Sequence, residues 1–274
     1  MKFTKILSAV LCAGLLVCSL ASCGAEETPA VSGDQPAAQK SDLAYIQNKG
    51  KLVIGITDFA PMDYQDETGA WIGFDADLAK AFAESIGVKA EFVVIDWDSK
   101  IMELDGKTID CVWNGMTLTD DVTSAMACSK PYCNNQQIVV VKKAVADQYQ
   151  TKEACKGLNF AVENSSAGME QAEANGFDFI PVVDQATALM EVAAGTADAA
   201  IIDSLMAGAM VGEGTSYEQL AYTVGLNDEQ YGVGFRKGSD LAEKLNEFFK
   251  TSYDNGEMQK IAKTYGVQAA LIAQ

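Results

Sequence analysis

The sequence predicts an α/β protein made of two doubly wound α/β lobes that two crossing strands join. Short β-branched runs alternate with amphipathic stretches in units of about 30 residues, a pattern typical of parallel sheets covered by helices on both faces. The alternation occurs twice along the chain, with one further strand pattern between the halves and another after the second half. The 274 residues are 49% hydrophobic, which is enough to build the core of one or two domains.

The N-terminal residues are typical of a secretory signal peptide. After two lysines, residues 6–20 form a nearly unbroken apolar run that is too short to span a membrane comfortably. Leu20-Ala-Ser-Cys23 follows this run directly and resembles a bacterial lipobox. The resemblance implies that residues 1–22 are removed and that Cys23 is lipidated and becomes the first mature residue. A thiol-linked diacylglycerol supplies the two acyl chains that stable anchoring requires.

Residues 23–41 are predicted to form a lipidated flexible tether. The segment is rich in Ala, Gly, Pro, Glu and Gln and has no large hydrophobic residue beyond Val31. It therefore cannot bury enough surface to fold, and as a random coil it reaches on the order of 25 Å. We expect the protein to be extracytoplasmic and lipid-anchored to the cell membrane.

The first half of the folded part begins with a strand and a helix. Asp75 starts a helical pattern as its predicted N-cap, and Gly87 is the predicted stop. A short helix is predicted over residues 98–104, with Ile101 and Leu104 facing inward. The strands predicted in this half are residues 51–57, 90–96 and 109–113.

The second half repeats the alternation and is followed by two amphipathic helices. A helix is predicted over residues 185–194, ending at Gly195, and the two later helices include residues 241–249 and 257–265. The strands predicted in this half are residues 158–162, 179–183 and 197–202.

Two strands are predicted to cross between the lobes, at residues 137–142 and 231–236. We therefore assign residues 42–138 and 231–274 to lobe 1 and residues 139–230 to lobe 2. Ligands of open α/β sheets bind outside the carboxyl ends of the strands, and a cleft between two lobes is a preferred ligand site. The ligand site is expected in that cleft.

Charge and composition argue against several classes of function. The formal charge is −18 and Arg236 is the sole arginine, whereas nucleic-acid binding needs clustered basic residues. The sequence has no histidine, which removes Ser-His and Cys-His nucleophile pairs and all histidine metal sites. We expect no nucleic-acid partner, no metal and no cofactor.

The mature chain is expected to retain four of the seven cysteines. Cleavage removes Cys12 and Cys18, and lipidation uses Cys23. The remaining thiols are those of Cys111, Cys128, Cys133 and Cys155. They lack a paired Cys-x-x-Cys spacing, so a metal site is not expected. Outside the cytoplasm they could form disulfides in any of three full pairings, and free buried thiols are the alternative.

Five segments of the folded part match a known family by their order and spacing. They are Thr68-Gly-Ala-Trp-Ile-Gly-Phe-Asp-Ala-Asp-Leu-Ala79, Gly115-Met-Thr-Leu-Thr-Asp120, Ser129-Lys-Pro-Tyr132, Ala197-Asp-Ala-Ala-Ile-Ile-Asp203 and Tyr231-Gly-Val-Gly-Phe-Arg-Lys237. Across residues 45–268 the chain resembles solute-binding protein family 3, the amino-acid-binding class of the type II periplasmic binding proteins. The resemblance implies a cleft that closes by hinge motion over a small amine-bearing ligand, most simply an amino acid, and delivery to an ABC importer. We expect a monomer.

The resemblance also implies roles for residues around the cleft. Phe59 and Trp97 match positions that contact the ligand side chain. Gly115 and Thr117 match positions that meet the ligand carboxylate through a backbone N–H and a hydroxyl. Each has a structural alternative, since the aromatics could be core residues and the other pair could simply end a strand.

Second-lobe positions complete the implied site. Ser166 and Ala167 match residues that close over the carboxylate, and capping of a helix by Ser166 would be compatible with anion binding. Asp203 matches the carboxylate that binds the ligand amine; it ends an apolar strand, where a charge needs a partner. The N-terminus of a helix over residues 204–210 is the alternative partner. The predicted site consists of Phe59, Trp97, Asn114, Gly115, Met116, Thr117, Glu163, Ser166, Ala167 and Asp203.

Two positions depart from the family pattern. Val122 stands where family members usually carry an arginine that forms a paired salt bridge with the ligand carboxylate. A nearby lysine could serve as a point charge instead but could not reproduce the paired geometry. Glu163 stands where some relatives contact the ligand with a basic residue. The cleft is therefore expected to be net acidic.

Two kinds of ligand remain open on these grounds. The first is an amino acid whose carboxylate is held by backbone N–H groups and the hydroxyl of Thr117. The second is a cation without a carboxylate. Its contacts would be the acids Asp203 and Glu163 and the aromatic faces of Phe59, Trp97 and Trp113.

An enzyme is not predicted, because the sequence lacks a nucleophile constellation. A few relatives resembling cyclohexadienyl dehydratase catalyse eliminations, and Asp203 and Glu163 would be the candidate acid and base in that case. A sensory ectodomain normally carries a transmembrane helix and an output domain. A lipoprotein that signals through another chain remains as a further alternative.

Overall fold

The computed structural model describes residues 41–274. The predicted signal peptide, Cys23 and the tether up to residue 40 lie outside the described residues. Ser41, assigned to the tether from the sequence, is instead the N-cap of the first helix, and its hydroxyl accepts a hydrogen bond from the N–H of Ala44 at 3.0 Å. Within residues 41–274, no helix is both long enough and apolar enough to cross a membrane.

Helices and strands alternate along the described residues. The first are α1 (Asp42–Lys49), β1 (Lys51–Ile56), β2 (Tyr64–Gln65), β3 (Trp71–Ile72), α2 (Phe74–Ser85), β4 (Lys89–Val94), α3 (Lys100–Asp105), β5 (Cys111–Thr117), α4 (Asp120–Ala125), β6 (Ala127–Cys128) and β7 (Cys133–Asn135). They are followed by β8 (Gln137–Lys142), β9 (Asn159–Glu163), α5 (Ala167–Asn175), β10 (Asp178–Val182), α6 (Gln185–Ala194), β11 (Ala199–Asp203), α7 (Ser204–Met210), β12 (Leu220–Gly225), β13 (Glu229–Phe235), α8 (Leu241–Asp254) and α9 (Glu257–Thr264). Short 3-10 helices precede α3 (Trp97–Ser99) and follow β8 (Lys143–Gln148).

The first sheet has six strands. β4, β1 and β5 are parallel neighbours, and β13 runs antiparallel to β5, β6 and β7. Successive side chains of a strand point to opposite faces, so β1 contributes to two different cores. Leu52, Ile54 and Ile56 pack with side chains of α2, α8 and α9, whereas Val53 packs with side chains of α3 and α4. Helices therefore cover both faces of the sheet, as predicted.

The second sheet has five strands in the order β10-β9-β11-β8-β12. β10, β9 and β11 are parallel, and β8 runs antiparallel to β11 and β12. Ile138 and Val140 of β8 pack with side chains of α6, and Val139 and Val141 pack with side chains of α5. This sheet is also covered by helices on both faces.

The chain passes between the two sheets twice. Gln136 links β7 of the first sheet to β8 of the second, and residues 226–228 link β12 back to β13. The two predicted crossing strands are present, but each lies within one sheet, and the short links before them make the crossings. The lobe bounds at residues 138–139 and 230–231 stay a prediction.

Helix α2 begins differently from the sequence prediction. Its N-cap is Gly73, at φ 130°, whereas Asp75 lies inside the helix with no exposed surface. Loop carbonyls replace a side-chain cap: the N–H of Phe74 donates to Pro61 O and that of Asp75 to Met62 O, both at 3.0 Å. A Cβ at residue 73 would lie 2.1 Å from Met62 O, so glycine is required for this close approach.

The other predicted elements are close to those observed. α6 has the predicted bounds, and Gly195 is its left-handed C-cap. The strand predicted at residues 109–113 begins and ends later, because β5 extends to Thr117 and includes the glycine motif. The helix predicted at residues 98–104 consists of a 3-10 turn followed by α3.

The four cysteines of the described residues are free thiols. Cys111, Cys133 and Cys155 are buried, and Cys128 is half-buried. Burial raises the pKa of each thiol, that of Cys128 to about 11. Thiols in such surroundings are inert rather than reactive.

Candidate functional site

A cavity of about 310 Å³ lies at the carboxyl ends of strands from both sheets. β1 and β5 reach it from the first sheet through Thr57 and residues 114–117, and β9 and β11 reach it from the second through Glu163 and Asp203. This is where the rule for open α/β sheets places a ligand. The cavity is lined by every predicted site residue: Phe59, Trp97, Asn114, Gly115, Met116, Thr117, Glu163, Ser166, Ala167 and Asp203.

Two aromatic side chains border the cavity. Phe59 packs edge-on against Tyr231, with ring centroids 6.4 Å apart. Trp97 lies in the 3-10 turn before α3, and the ammonium of Lys100 sits 4.9 Å from its ring centroid. Phe59 and Trp97 are therefore both core residues on one side and cavity walls on the other.

Trp113 does not belong to this cavity. It is fully buried, with its ring centroid 6.2 Å from that of Phe82 and 5.6 Å from that of Phe249. Phe82 belongs to α2 and Phe249 to α8. Strand alternation therefore places Trp113 on the face of β5 that α2 and α8 cover, opposite its neighbour Asn114. Its suggested contact with a ligand cation is wrong.

Asn114 organises the floor of the cavity. Its Oδ1 accepts hydrogen bonds from the N–H of Thr57 at 2.9 Å and from the Thr57 hydroxyl at 2.7 Å. Its Nδ2 donates to Asp63 Oδ2 at 2.8 Å. The side chain thus ties the end of β1 to β5 and to a buried carboxyl beneath the site.

The N–H of Gly115 is used inside the protein. It donates to Asp75 Oδ2 at 2.6 Å, and the hydroxyl of Tyr132 donates to the same oxygen at 2.7 Å. Gly115 has φ 54°, and a Cβ there would lie 2.5 Å from Phe59 Cε1. The prediction that this N–H binds a ligand carboxylate therefore does not match the structure, since Asp75 already accepts it.

The hydroxyl of Thr117 is likewise used inside the protein. It donates to Glu229 Oε1 at 2.9 Å. The same oxygen accepts from Asn135 Nδ2 at 2.6 Å and from Gln137 Nε2 at 2.8 Å. Thr117 lines the cavity, but in this arrangement its proton points to Glu229 and not to a ligand.

Asp203 lies at the end of β11 with 3% of its surface exposed. Its Oδ1 accepts from Tyr231 Oη at 2.7 Å, from Gln137 Nε2 at 3.1 Å and from Asn135 Nδ2. Its Oδ2 accepts from Gln185 Nε2. The side chain makes no capping hydrogen bond to α7, so the helix N-terminus is not its partner. Oδ2 keeps acceptor capacity for one more donor.

Glu163 places a second buried carboxyl in the same wall. Burial raises the pKa of Asp203 to about 8, and the charge of Glu229 adds to this effect. Burial also raises the pKa of Glu163 to about 8, and the charges of Asp203 and Asp184 add to it. Oε1 of Glu163 has no hydrogen-bond partner among the described residues. Both groups therefore favour the protonated form until a cation compensates them.

Ser166 starts α5 at the edge of the cavity. Its Oγ accepts from the N–H of Met169 at 3.2 Å and donates to the carbonyl of Glu163 at 2.8 Å. Its hydroxyl therefore serves as the N-cap of the helix that begins at Ala167. Ser165 just before it has φ 55°, which turns its carbonyl towards α3.

The family model for bacterial extracellular solute-binding proteins, family 3, matches residues 52–268. The chain belongs to this family. It is similar to the arginine-binding extracellular protein ArtP of Bacillus subtilis, with 26% identity over 260 residues that cover 93% of this chain and 96% of the relative.

Solved structures agree with the family assignment. The chain is similar to an ABC uptake transporter substrate-binding protein from Streptococcus pneumoniae with bound histidine, with 30% identity, a TM-score of 0.76 and coverage of 84% of this chain and 98% of that chain. It is also similar to the ancestral amino acid-binding protein AncCDT-1, a precursor of cyclohexadienyl dehydratase. The identity is 30% and the TM-score 0.75, and the match covers 82% of this chain and 99% of that chain. The predicted fold class, that of the type II periplasmic binding proteins, is confirmed.

Several cavity residues of this family 3 protein escaped the sequence prediction. Gln137 and Gln185 donate to Asp203, yet an amide at the start of a strand or helix carries no sequence signal for such a role. Lys100 is 6% exposed and lines the cavity, although a lysine in a short helix is ordinarily exposed. Val122, at the position of the usual arginine, also lines it, with 5% of its surface exposed.

Asp75 is expected to make the stability of the protein depend on pH. Burial raises its pKa from 3.8 to about 7, against the opposing effect of the donors Tyr132 and Gly115. The folded chain then holds a proton that the unfolded chain has lost, so this contribution is complete below the unfolded pKa and is lost as pH rises through 7. In Asp75→Asn, we expect the free energy of unfolding to fall less between pH 5 and pH 8, by at most about 1.4 kcal/mol per pH unit.

Urea denaturation at the two pH values checks this. Burial and the charge of Asp75 also raise the pKa of Asp63, so the slope should be reduced rather than abolished. Asp105→Asn removes an exposed carboxyl and is the control for loss of one charge. Equal pH slopes for wild type, Asp75→Asn and Asp105→Asn would contradict the assignment.

Proposed function

We propose that this chain is the substrate-binding lipoprotein of an ABC importer, and that as a monomer it binds an amino acid in the cavity between the two sheets. The observation that carries the proposal is the carboxylate of Asp203. It is buried in the cavity wall, it has spare acceptor capacity on Oδ2, and no lysine or arginine of the described residues lies within ion-pair distance. A buried acid of this kind is completed by a cationic ligand group.

The size and walls of the cavity fit a small polar molecule. Its volume of about 310 Å³ is at the lower end of ordinary ligand sites. Phe59 and Trp97 offer apolar and aromatic surface to a ligand side chain. The amine end would meet Asp203 and Glu163. The relatives named for arginine and histidine binding support an amino acid as the ligand class.

A cation without a carboxylate is the second candidate ligand. Val122 offers no charge, and Gly115 N–H and the Thr117 hydroxyl are both donated to protein carboxylates. A simple amine would need none of these groups. In both candidates Asp203 binds the ligand amine. They differ only in whether the ligand also carries a carboxylate.

Binding is proposed to close the cleft by a shift of population. The cavity is lined from the first sheet by Phe59 and residues 114–117 and from the second by Glu163 and Asp203. A ligand that contacts both sides binds the closed form better and shifts the equilibrium by that difference in affinity. The importer would then accept the closed, loaded form.

Calorimetric titration tests the ligand class. We expect at least one of the twenty standard amino acids or cystine to give binding heat. Its carboxamide is expected to bind with a larger dissociation constant. Heat from simple amines alone would establish the second candidate and exclude the first. Turnover of prephenate or arogenate would instead establish an enzyme.

Asp203→Asn should weaken binding of the amine by roughly 2–5 kcal/mol, because the variant removes the charge that faces a buried ammonium. The amide keeps an oxygen for Tyr231 and Gln137, so the fold is expected to survive, which thermal unfolding would check. The control is Asp198→Asn, at an exposed acid just before β11 that does not line the cavity; the amide oxygen can still accept the N–H of Asn159. Unchanged affinity in Asp203→Asn would remove this residue from the site.

The lipid anchor is proposed from the apolar run and the Leu-Ala-Ser-Cys23 motif that follows it. In cells fed a labelled fatty acid, the wild-type chain should carry the label. Cys23→Ser should lose it, because the thiol that receives the diacylglycerol is gone. Cys18→Ser, a change within the apolar run, should keep it. Label on Cys23→Ser would show that the motif is not a lipobox.

A further inference from the structure

Lys100, at the start of α3, is a buried ammonium whose surroundings leave it incompletely paired. With 6% of its surface exposed, it needs polar partners to compensate its charge. Its Nζ donates to the carbonyl of Trp97 at 3.1 Å and to that of Ser165 at 3.0 Å. An ammonium has three donors. The third has no partner among the described residues.

Lys100 is also the one cationic residue, within the part of the chain that the structure describes, that lines the cavity. The acids that line it are Asp98, Asp121, Glu163, Glu170, Glu173 and Asp203. No carboxylate lies within 4.0 Å of the Lys100 ammonium. Burial lowers the pKa of Lys100, and the charges of Glu163 and Asp98 oppose this shift. The cavity thus contains one isolated positive group in a negative wall.

Two groups that were predicted to hold an anion here are already used. Gly115 N–H is donated to Asp75 at 2.6 Å and the Thr117 hydroxyl to Glu229 at 2.9 Å. Val122 has no polar side chain. A carboxylate entering the cavity would therefore find few free donors besides Lys100.

The N-terminus of α5 is a second group near the Lys100 ammonium that could bind an anion. The carbonyl that Lys100 contacts belongs to Ser165, next to Ser166, the N-cap of α5. The first N–H groups of a helix have no intrahelical partner, and its N-terminus carries partial positive charge. α5 runs from Ala167 to Asn175, long enough for this effect. The Lys100 ammonium therefore lies beside the turn at which α5 begins, and both line the cavity.

We propose that Lys100 holds the carboxylate of the ligand. The carboxylate would accept the third N–H of Lys100 on one oxygen and lie against the first turn of α5 with the other. Asp203 and Glu163 would hold the amine. The cavity then recognises both ends of an amino acid. This inference rests on the proposed function, since it presupposes a ligand that carries a carboxylate.

The rival reading is structural. By contacting carbonyls on both sides of the cavity, Lys100 could simply tie the turn at Trp97 to the turn at Ser165. In that case its removal would weaken all ligands alike. Recognition of a carboxylate predicts instead that its removal weakens a carboxylate ligand and spares the matching amide.

The test compares the tightest-binding amino acid, found among the twenty standard amino acids and cystine, with its C-terminal carboxamide. Isothermal titration gives both dissociation constants for wild type, Lys100→Met, Lys100→Arg and the exposed control Lys89→Met. In Lys100→Met, we expect the acid to bind on the order of 10- to 100-fold more weakly, which is the usual effect of losing one hydrogen bond to a charged group. The amide should change by much less. Lys100→Arg and Lys89→Met should keep the preference for the acid.

The outcomes separate the two proposals. If no amino acid binds the wild-type chain, the proposed function and this inference both fall. If an amino acid binds and Lys100→Met keeps the wild-type ratio of the two constants, only the role of Lys100 is wrong. Should Lys100→Met fail to fold, Lys100→Gln keeps a donor to Ser165 without the charge and allows the same comparison.

Discussion

Carboxyl groups that are buried without a cation, in the cavity and beneath it, are the constraint on which the site depends. Asp63, Asp75, Glu163 and Asp203 are all buried, and none forms an ion pair within the described residues. Neutral donors such as Asn114 Nδ2 and the hydroxyls of tyrosines hold their oxygens instead. Such donors offset only part of the cost of desolvation, so the acids keep raised pKa values. In the proposed function, a cationic ligand group would compensate Glu163 and Asp203, the two of these acids that line the cavity.

Asp110 shows how the same fold treats a buried carboxylate that has no ligand to bind. It has no exposed surface, but Lys49 Nζ lies 2.5 Å from one oxygen and Arg236 Nη2 lies 3.5 Å from the other. Arg236, the sole arginine of the sequence, also pairs with Asp42 at 3.1 Å. It is therefore fixed by acids of its own and does not line the cavity. Asp203 differs from Asp110 in that it lines the cavity and has no protein cation within ion-pair distance, as the proposed binding role requires.

The sequence alone was sufficient for the architecture and for ten of the residues that line the cavity, but not for the others or for the contacts inside it. Periodicity predicted strands and α6 well, and the family resemblance placed ten residues that all line one cavity. Asp75 shows what was missed: as a helix cap it needed no further explanation, whereas its carboxylate reaches across to Gly115. That contact joins residues 40 positions apart. Local sequence patterns do not contain such pairings, and for the same reason they did not mark Lys100 as a residue of the cavity.

The unequal numbers of charges bear on which amino acids suit the cavity. Six acids and one lysine line it. The ligand amine would meet Asp203 and Glu163, and the ligand carboxylate would meet Lys100. The two ligand charges cancel, so the acids would still outnumber the cations in the occupied cavity. A second carboxylate on the ligand side chain would then face like charge, which disfavours binding by several kcal/mol in desolvated contacts. A neutral or basic side chain would meet no such penalty, and a cationic one would gain from the aromatic faces of Phe59 and Trp97. The charges of the cavity therefore narrow the proposed ligand class towards neutral and basic amino acids.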